Sequence, residues 1–360
     1  MKILQRYILE ELWLPFILSF VTLNFIFMAG YLVRAANFII GRGIPLFDTL
    51  YVLVLALPEM VSYTMPTSIL TAVLIVFGSL SQNNEIRAMK ASGVQPLQVM
   101  MPAFLVGLAL SFLMFLFNDQ IATNAGFQFR RATKKMLIKH PAAVIEPGRF
   151  VKLNDAVILL AKKVDGNHMQ DIIAYENEGT HKPIRTVIAA RGEILSRNNN
   201  TELEIKLYDG SISDAENSIV QSIQFKTYEF PTLGQEDIRK MKKKMRDLSL
   251  AELLLKISES VLPLAERREI WSAFHNRIAF SFGSFIFVFL GIPIAVLVQR
   301  GEIILSFAIS MAAASLYYIL FVGAKSVSIQ GLLPSYISYW IPNLLLLGFG
   351  GYLLRRSLLT

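Results

Sequence analysis

The residues able to do chemistry are few, and the densest group is Asn83-Asn84-Glu85-Ile86-Arg87-Ala88-Met89-Lys90-Ala91-Ser92-Gly93-Val94. Ile86 and Met89 share one helical face, with Glu85, Arg87 and Lys90 around them, while Gly93 can end the helix and Pro96 blocks its continuation. A short amphipathic helix of this kind suits docking into a groove on a partner. A polar helical loop held at lipid headgroups fits the same pattern. Three isolated charges stand out elsewhere. Arg34 closes an apolar stretch, where a guanidinium can hold a phosphate through two parallel hydrogen bonds or simply snorkel to the interface. Arg42 is a second candidate for the same role. Glu59 is the only charge between Asp48 and Glu85; a carboxylate in such a stretch is costly and usually faces a polar cavity, or sits near the interface as an anchor. The run from Arg239 to Arg246 holds six basic residues in eight, either a solvated face or a binder of sugar phosphates.

Catalysis has little support. His140, His168, His181 and His275 show no metal-ligand spacing, and there is no H-E-x-x-H and no nucleophile motif. Without cysteine, disulfides, iron–sulfur clusters and thiolate zinc sites are excluded. No G-x-x-x-x-G-K-[ST] is present, so any ATP-driven step belongs to another chain.

The elements that must position these residues are membrane helices. Six uncharged stretches run Leu12–Val33, Met60–Asn84, Ala91–Asn118, Ile278–Gln299, Ile303–Ala324 and Ser326–Leu354. A bilayer core of roughly 30 Å takes about 20 apolar residues in a helix, and only helices or closed barrels satisfy their backbone there. Asp119–Arg277 carries 25 Lys+Arg and 21 Asp+Glu, against 10 and 6 in the other 201 residues. The chain therefore reads as three spans, a water-soluble insert and three more spans. The net charge of +8 divides evenly between insert and remainder, which is no concentrated nucleic-acid footprint. The first stretch is longer than a signal-peptide core and lacks an A-x-A site, so it reads as a span.

Six crossings put both termini on one side. Lys2, Arg6, Arg87, Lys90, Arg300, Arg355 and Arg356 gather there, against Arg34, Arg42 and Lys325 opposite. This asymmetry predicts cytoplasmic termini and an extracytoplasmic insert. Residues 1–11 read as a short amphipathic helix on the inner surface, and Asp48–Asn84 as one long helix kinked at Pro58 and Pro66. Within the insert a helix is expected over 119–139, then strands near 143–153, 155–164, 169–176 and 184–196. Two more follow around Leu203–Leu207 and Ile219–Phe225, with turns at Asp165-Gly166, Glu178-Gly179, Asn198–Asn200 and Asp209-Gly210. Many short strands point to a sandwich or jelly roll. Ser249 and Glu252 have capping-box spacing.

With these motifs in place, Glu85…Lys90-Ala91-Ser92-Gly93-Val94 with Pro96 resembles the coupling-helix motif of the LptF/LptG permease family. Glu269–Arg277, with Phe274, His275 and Arg277, is similar to the family's E-F-H-R-R ahead of the fourth crossing, departing from it at Asn276. Leu290-Gly291-Ile292-Pro293 matches its L-G-I-P, and Trp340-Ile341-Pro342-Asn343 its W-x-P-N. The ordered set covers nearly the whole chain. The resemblance implies an α-helical membrane bundle of six transmembrane helices (3 + 3) with an inserted extracytoplasmic β-jelly roll. Its parts would be 1–118 with a coupling helix near 83–95, the β module 119–265, and 266–360. It implies a permease subunit of an ABC-type exporter in the bacterial inner membrane that extracts lipopolysaccharide. The subunit would be paired with a paralogue and driven by an LptB-like cytoplasmic ATPase dimer that holds the ATP; no cofactor is expected in this chain. Substrate would pass a lateral gate involving the first and fifth crossings, then the β module, to an LptC/LptA-like bridge. Glu85, Ile86, Arg87, Met89, Ser92 and Gly93 would contact the ATPase, and Arg34, Arg42 and Glu59 the substrate. Moving about 12 methylenes from lipid to water costs roughly 10 kcal/mol, so such export needs a motor and an apolar trough. A membrane-anchored enzyme acting on envelope lipids or glycans, and an ion-coupled lipid carrier, are the alternatives.

Overall fold

The computed structural model describes residues 2–41, 44–139, 145, 147–153, 157–176, 185–197, 202–216, 219–230, 233–234, 238–258 and 262–359. Among them six helical segments are long and apolar enough to cross a membrane: Ile3–Ile40, Leu46–Gln82, Pro96–Met136, Leu264–Val298, Ile303–Gln330 and Ser335–Ser357. The chain divides into two compact units, Met1–Gly30 with Ala56–Phe127 and Lys243–Thr360, and Tyr31–Leu55 with Gln128–Lys242.

Along the chain, α1 (Lys2–Ala36) is one uninterrupted helix. This corrects the expectation of a separate amphipathic helix over 1–11: nothing between Glu11 and the apolar run breaks a helix, and Pro15 is carried inside it. α2 (Leu46–Gln82) is a single 37-residue helix containing Pro58 and Pro66, about 55 Å long at 1.5 Å per residue. α3 (Glu85–Ala91) is followed by α4 (Pro96–Leu116), which starts at Pro96 rather than Ala91 because proline suits the first helical position. A π-helical turn, Phe117–Ala122, leads into α5 (Thr123–Lys139). After the insert come α6 (Leu250–Ser258), α7 (Leu264–Ser281) and α8 (Gly283–Val298), the last two forming the fourth span. α9 (Ile303–Gln330) ends at Gly331, which is left-handed at φ 76, so Ser326–Gln330 belongs to the fifth span rather than the sixth. α10 (Ser335–Ser338) and α11 (Ile341–Leu359) complete the chain.

The family-like motifs do packing work here. A Cβ on Gly291 would lie 2.7 Å from Leu70 Cδ1, so glycine lets α8 approach α2 closely. Asn343 is fully buried; its amide donates to Ala279 O at 2.9 Å and its Oδ1 accepts from Tyr317 Oη at 3.0 Å, joining α7, α9 and α11. Between α2 and α9, Thr71 Oγ1 donates to Ser310 Oγ at 2.7 Å and Tyr318 Oη to Tyr63 O at 2.6 Å.

The second unit holds an antiparallel sheet of β1 (Phe150–Lys152), β2 (Val157–Asp165), β3 (His168–Glu176), β4 (Arg185–Arg197), β5 (Glu202–Glu216) and β6 (Ile219–Glu229) in consecutive order, with β7 (Leu233–Gly234) also on β5. The β2–β3 turn uses Gly166, at φ 56. No turn exists at Asp209-Gly210, where β5 continues without interruption. The turns expected at 178–179 and 198–200 lie outside the described residues. The inward-facing positions shift phase along one shared row: Leu159 and Ala161, then Val164; Val187 and Ala189, then Ile194; Ile205 and Leu207, then Ile212. Asp171 and Asp209, at φ 52 and 53, lie on that row on either side of Ala190. β2, β3, β4 and β5 carry the extra residue at the same place, so register survives while the sheet creases. Leu159, Ala161, Ile172, Ala174, Val187 and Leu207 are all fully buried, giving an apolar interior.

Candidate functional site

The exposed segment between α2 and α4 is built by backbone geometry. Asn84 enters α3 in the left-handed region at φ 60, and its Oδ1 accepts from Arg87 Nη1 at 3.1 Å. At the far end the Gly93 amide donates to Lys90 O and the Val94 amide to Met89 O, both at 3.0 Å. This is a Schellman closure, which needs the φ of +82 that Gly93 supplies. The apolar pair Met89 and Val94 packs under it against the bundle core.

Ile86 is 5% exposed and belongs to the bundle core. The shared face of Ile86 and Met89, which suited docking into a partner's groove, is instead turned toward the bundle, Ile86 buried in its core and Met89 packed against it. The outward face consists of Arg87, Ala88, Ala91, Ser92 and Gly93. Glu85 is half-buried and accepts from Tyr7 Oη at 3.3 Å, while Lys90 Nζ donates to Ser357 O at 3.5 Å. A short helix held at both flanks, with a small-residue outer face, can receive a partner without itself deforming.

Of the substrate candidates, Glu59 is exposed on α2, one turn before Ser62. Arg34 lies in the last turn of α1, its side chain outside the described residues, as is the whole of Arg42. Among the described residues no group of three metal-ligating side chains exists.

Sequence reasoning singled out Arg277 only within a motif and missed its partner. Arg277 Nη1 donates to Asp119 Oδ1 at 2.7 Å, and Nη2 to Leu248 O at 2.7 Å and Arg246 O at 3.3 Å. Asp119 Oδ1 also accepts from the Leu250 amide at 2.7 Å. Next to it Asn118 accepts from Ser62 Oγ at 2.6 Å and donates to Ser281 Oγ at 3.2 Å. The π-helical turn presents both residues, as such turns often do at functional points. The basic run Arg239–Arg246 ends at this cluster. Its Lys243 pairs with Glu252 at 2.7 Å and, with the Ser249 amide, holds that carboxyl below its ordinary range.

The spans differ sharply in cover. Within the apolar stretch of each, 78% is buried in the second and 67% in the fourth, but only 22% in the fifth and 11% in the first.

Six spans, a short helix exposed between the second and third, and an inserted apolar-cored sheet define a multi-pass membrane protein with a β module. The chain belongs to the family described as lipopolysaccharide export system permease LptF/LptG, whose pattern matches residues 6–356. Members of that family are permease components of lipopolysaccharide export. The chain is also similar to an uncharacterized protein, RP871, of Rickettsia prowazekii (strain Madrid E), at 23% identity over 250 residues, which is 66% of this chain and 69% of that one.

Proposed function

We propose that this chain is one permease half of an ATP-driven exporter in the bacterial inner membrane, with its termini cytoplasmic and its β module periplasmic. It pairs with a paralogous permease, and an LptB-like ATPase dimer binds ATP and docks on α3 through Glu85, Arg87, Ser92 and Gly93, with Ile86 and Met89 setting the helix from beneath. Lipopolysaccharide enters sideways between the first and fifth spans, meets Arg34, Arg42 and Glu59, and passes through the apolar β module to an LptC/LptA-like bridge. The supporting observation is the cover of the spans. The first and fifth, which the family resemblance assigns to the gate, are the two with the least of their apolar surface covered. Helices that must part in lipid cannot be the ones most deeply packed. The charge asymmetry of the short loops supports the orientation.

The test is co-expression with a paralogous permease and a cytoplasmic ATPase, purification in one complex, and reconstitution with lipopolysaccharide. Glu85→Ala and Gly93→Trp are expected to lose ATPase association or export. Unchanged association and unchanged release in both variants would overturn the reading.

A further inference from the structure

α1 touches the helical unit along a narrow stripe. Its covered positions are Leu4, Ile8, Leu12, Phe16, Ser19 and Leu23, one every three or four residues, the signature of a single helical face. The other faces expose Ile3, Trp13, Leu14, Leu18, Val21 and Phe25. Near the foot of this stripe lies α3. Ile8 and Leu12 are buried in the same apolar cluster as Leu80 and Ile86. Tyr7, one residue before, donates its hydroxyl to Glu85 Oε2 at 3.3 Å across 78 residues of sequence. From Tyr7 to Gly30 the helix continues without a break inside this unit.

We propose that Tyr7 is a positioning residue for Glu85, tying α3 to the foot of the first span so that displacement of one is carried into the other. This rests on the reading of α3 as the ATPase contact. The physical grounds are stiffness and seam width. A helix transmits displacement along its axis because every turn is hydrogen-bonded to the next. A span held by one stripe can shift without unpacking the core. The hydroxyl contact is directional, and at 3.3 Å it biases the position of the Glu85 carboxylate relative to α1, a preference that apolar contacts alone do not give. Nucleotide-driven movement of α3 then reaches the first span, one wall of the proposed gate, through Tyr7.

The test is the full permease–ATPase complex reconstituted with lipopolysaccharide, read as lipid released per ATP hydrolysed. Tyr7→Phe keeps the ring and removes only the donor. Expected are an unchanged melting temperature, unchanged ATPase association, and a fall of about fivefold in lipid released per ATP, within what a hydrogen bond to a charged group supports. A wild-type ratio in Tyr7→Phe overturns the inference while leaving the exporter reading intact. Failure of the wild-type chain to hold any ATPase overturns the exporter reading, and this inference with it.

Discussion

Arg277 and Asp119 are joined by a 2.7 Å ion pair between residues 158 apart in sequence. The pair ties the third span to the fourth, and its remaining hydrogen bonds hold the backbone of Arg246, Leu248 and Leu250. The Arg277 side chain is 7% exposed and that of Asp119 18%. Removing one partner leaves an uncompensated buried charge, which costs about 3 kcal/mol or more. Arg277→Ala is expected to lower the melting temperature of the detergent-solubilised protein, and Arg277→Met with Asp119→Leu to recover part of the loss. A single variant that melts like wild type would remove this pair from the account of stability.

Gly93 requires its left-handed backbone but not extra space, since a Cβ there would meet nothing within 4 Å. Gly93→Ala should therefore cost about 1 kcal/mol through φ alone, and Gly93→Asn less. ATPase association in the three proteins should fall in the order Gly, Asn, Ala if the shape of the helix end is what the partner reads. Equal association in all three would show that the partner reads something else.

Much of this was legible in the chain because membrane spans announce themselves by length and charge. Pro58 and Pro66 were correctly placed inside one helix, and the Ser249–Glu252 capping box forms as its spacing predicts, with the Ser249 amide 2.7 Å from Glu252 Oε2. Three features were not legible. Asp209-Gly210 has turn composition, yet the left-handed residue is used within a strand to crease the sheet. Ile86 has amphipathic spacing, but spacing cannot say whether its apolar face meets a partner or the chain's own bundle. The Asp119–Arg277 pair depends on two spans meeting, which no local pattern encodes.

The Glu252 carboxyl is held below its ordinary range first by the Lys243 ammonium and then by the Ser249 amide. A depressed carboxylate contributes stability that is present above its unfolded value, about 4.3, and is lost as pH falls through the lower folded value. Glu252 is 40% exposed in its side chain, so solvent screens the pair and the contribution stays below about 1 kcal/mol. Hydrogen exchange over Leu250–Ser258 should quicken below pH 4 in the wild type beyond the intrinsic rate change. Glu252→Gln should remove that pH dependence; if it persists, another group is responsible.

Asp171 and Asp209 offer the last test, because a crease made by backbone conformation is separable from one made by side-chain pairing. Both residues have positive φ, and both have ionic partners, Lys162 at 3.8 Å for Asp171 and Arg191 for Asp209. Those pairs are solvent-exposed and are each worth well under about 1 kcal/mol. The left-handed conformation costs a β-branched residue about 1–2 kcal/mol more than glycine. Asp209→Gly should therefore hold or raise the stability of the β module, while Asp209→Val should lower it and straighten β5. Straightening would move the inward positions beyond it, such as Ile212, to the outer face, because strand side chains alternate strictly with period two. Thermal unfolding of the two variants, with dye binding to newly exposed apolar surface, separates the cases. If glycine proves as damaging as valine, the carboxylate pairing rather than the backbone sets the crease.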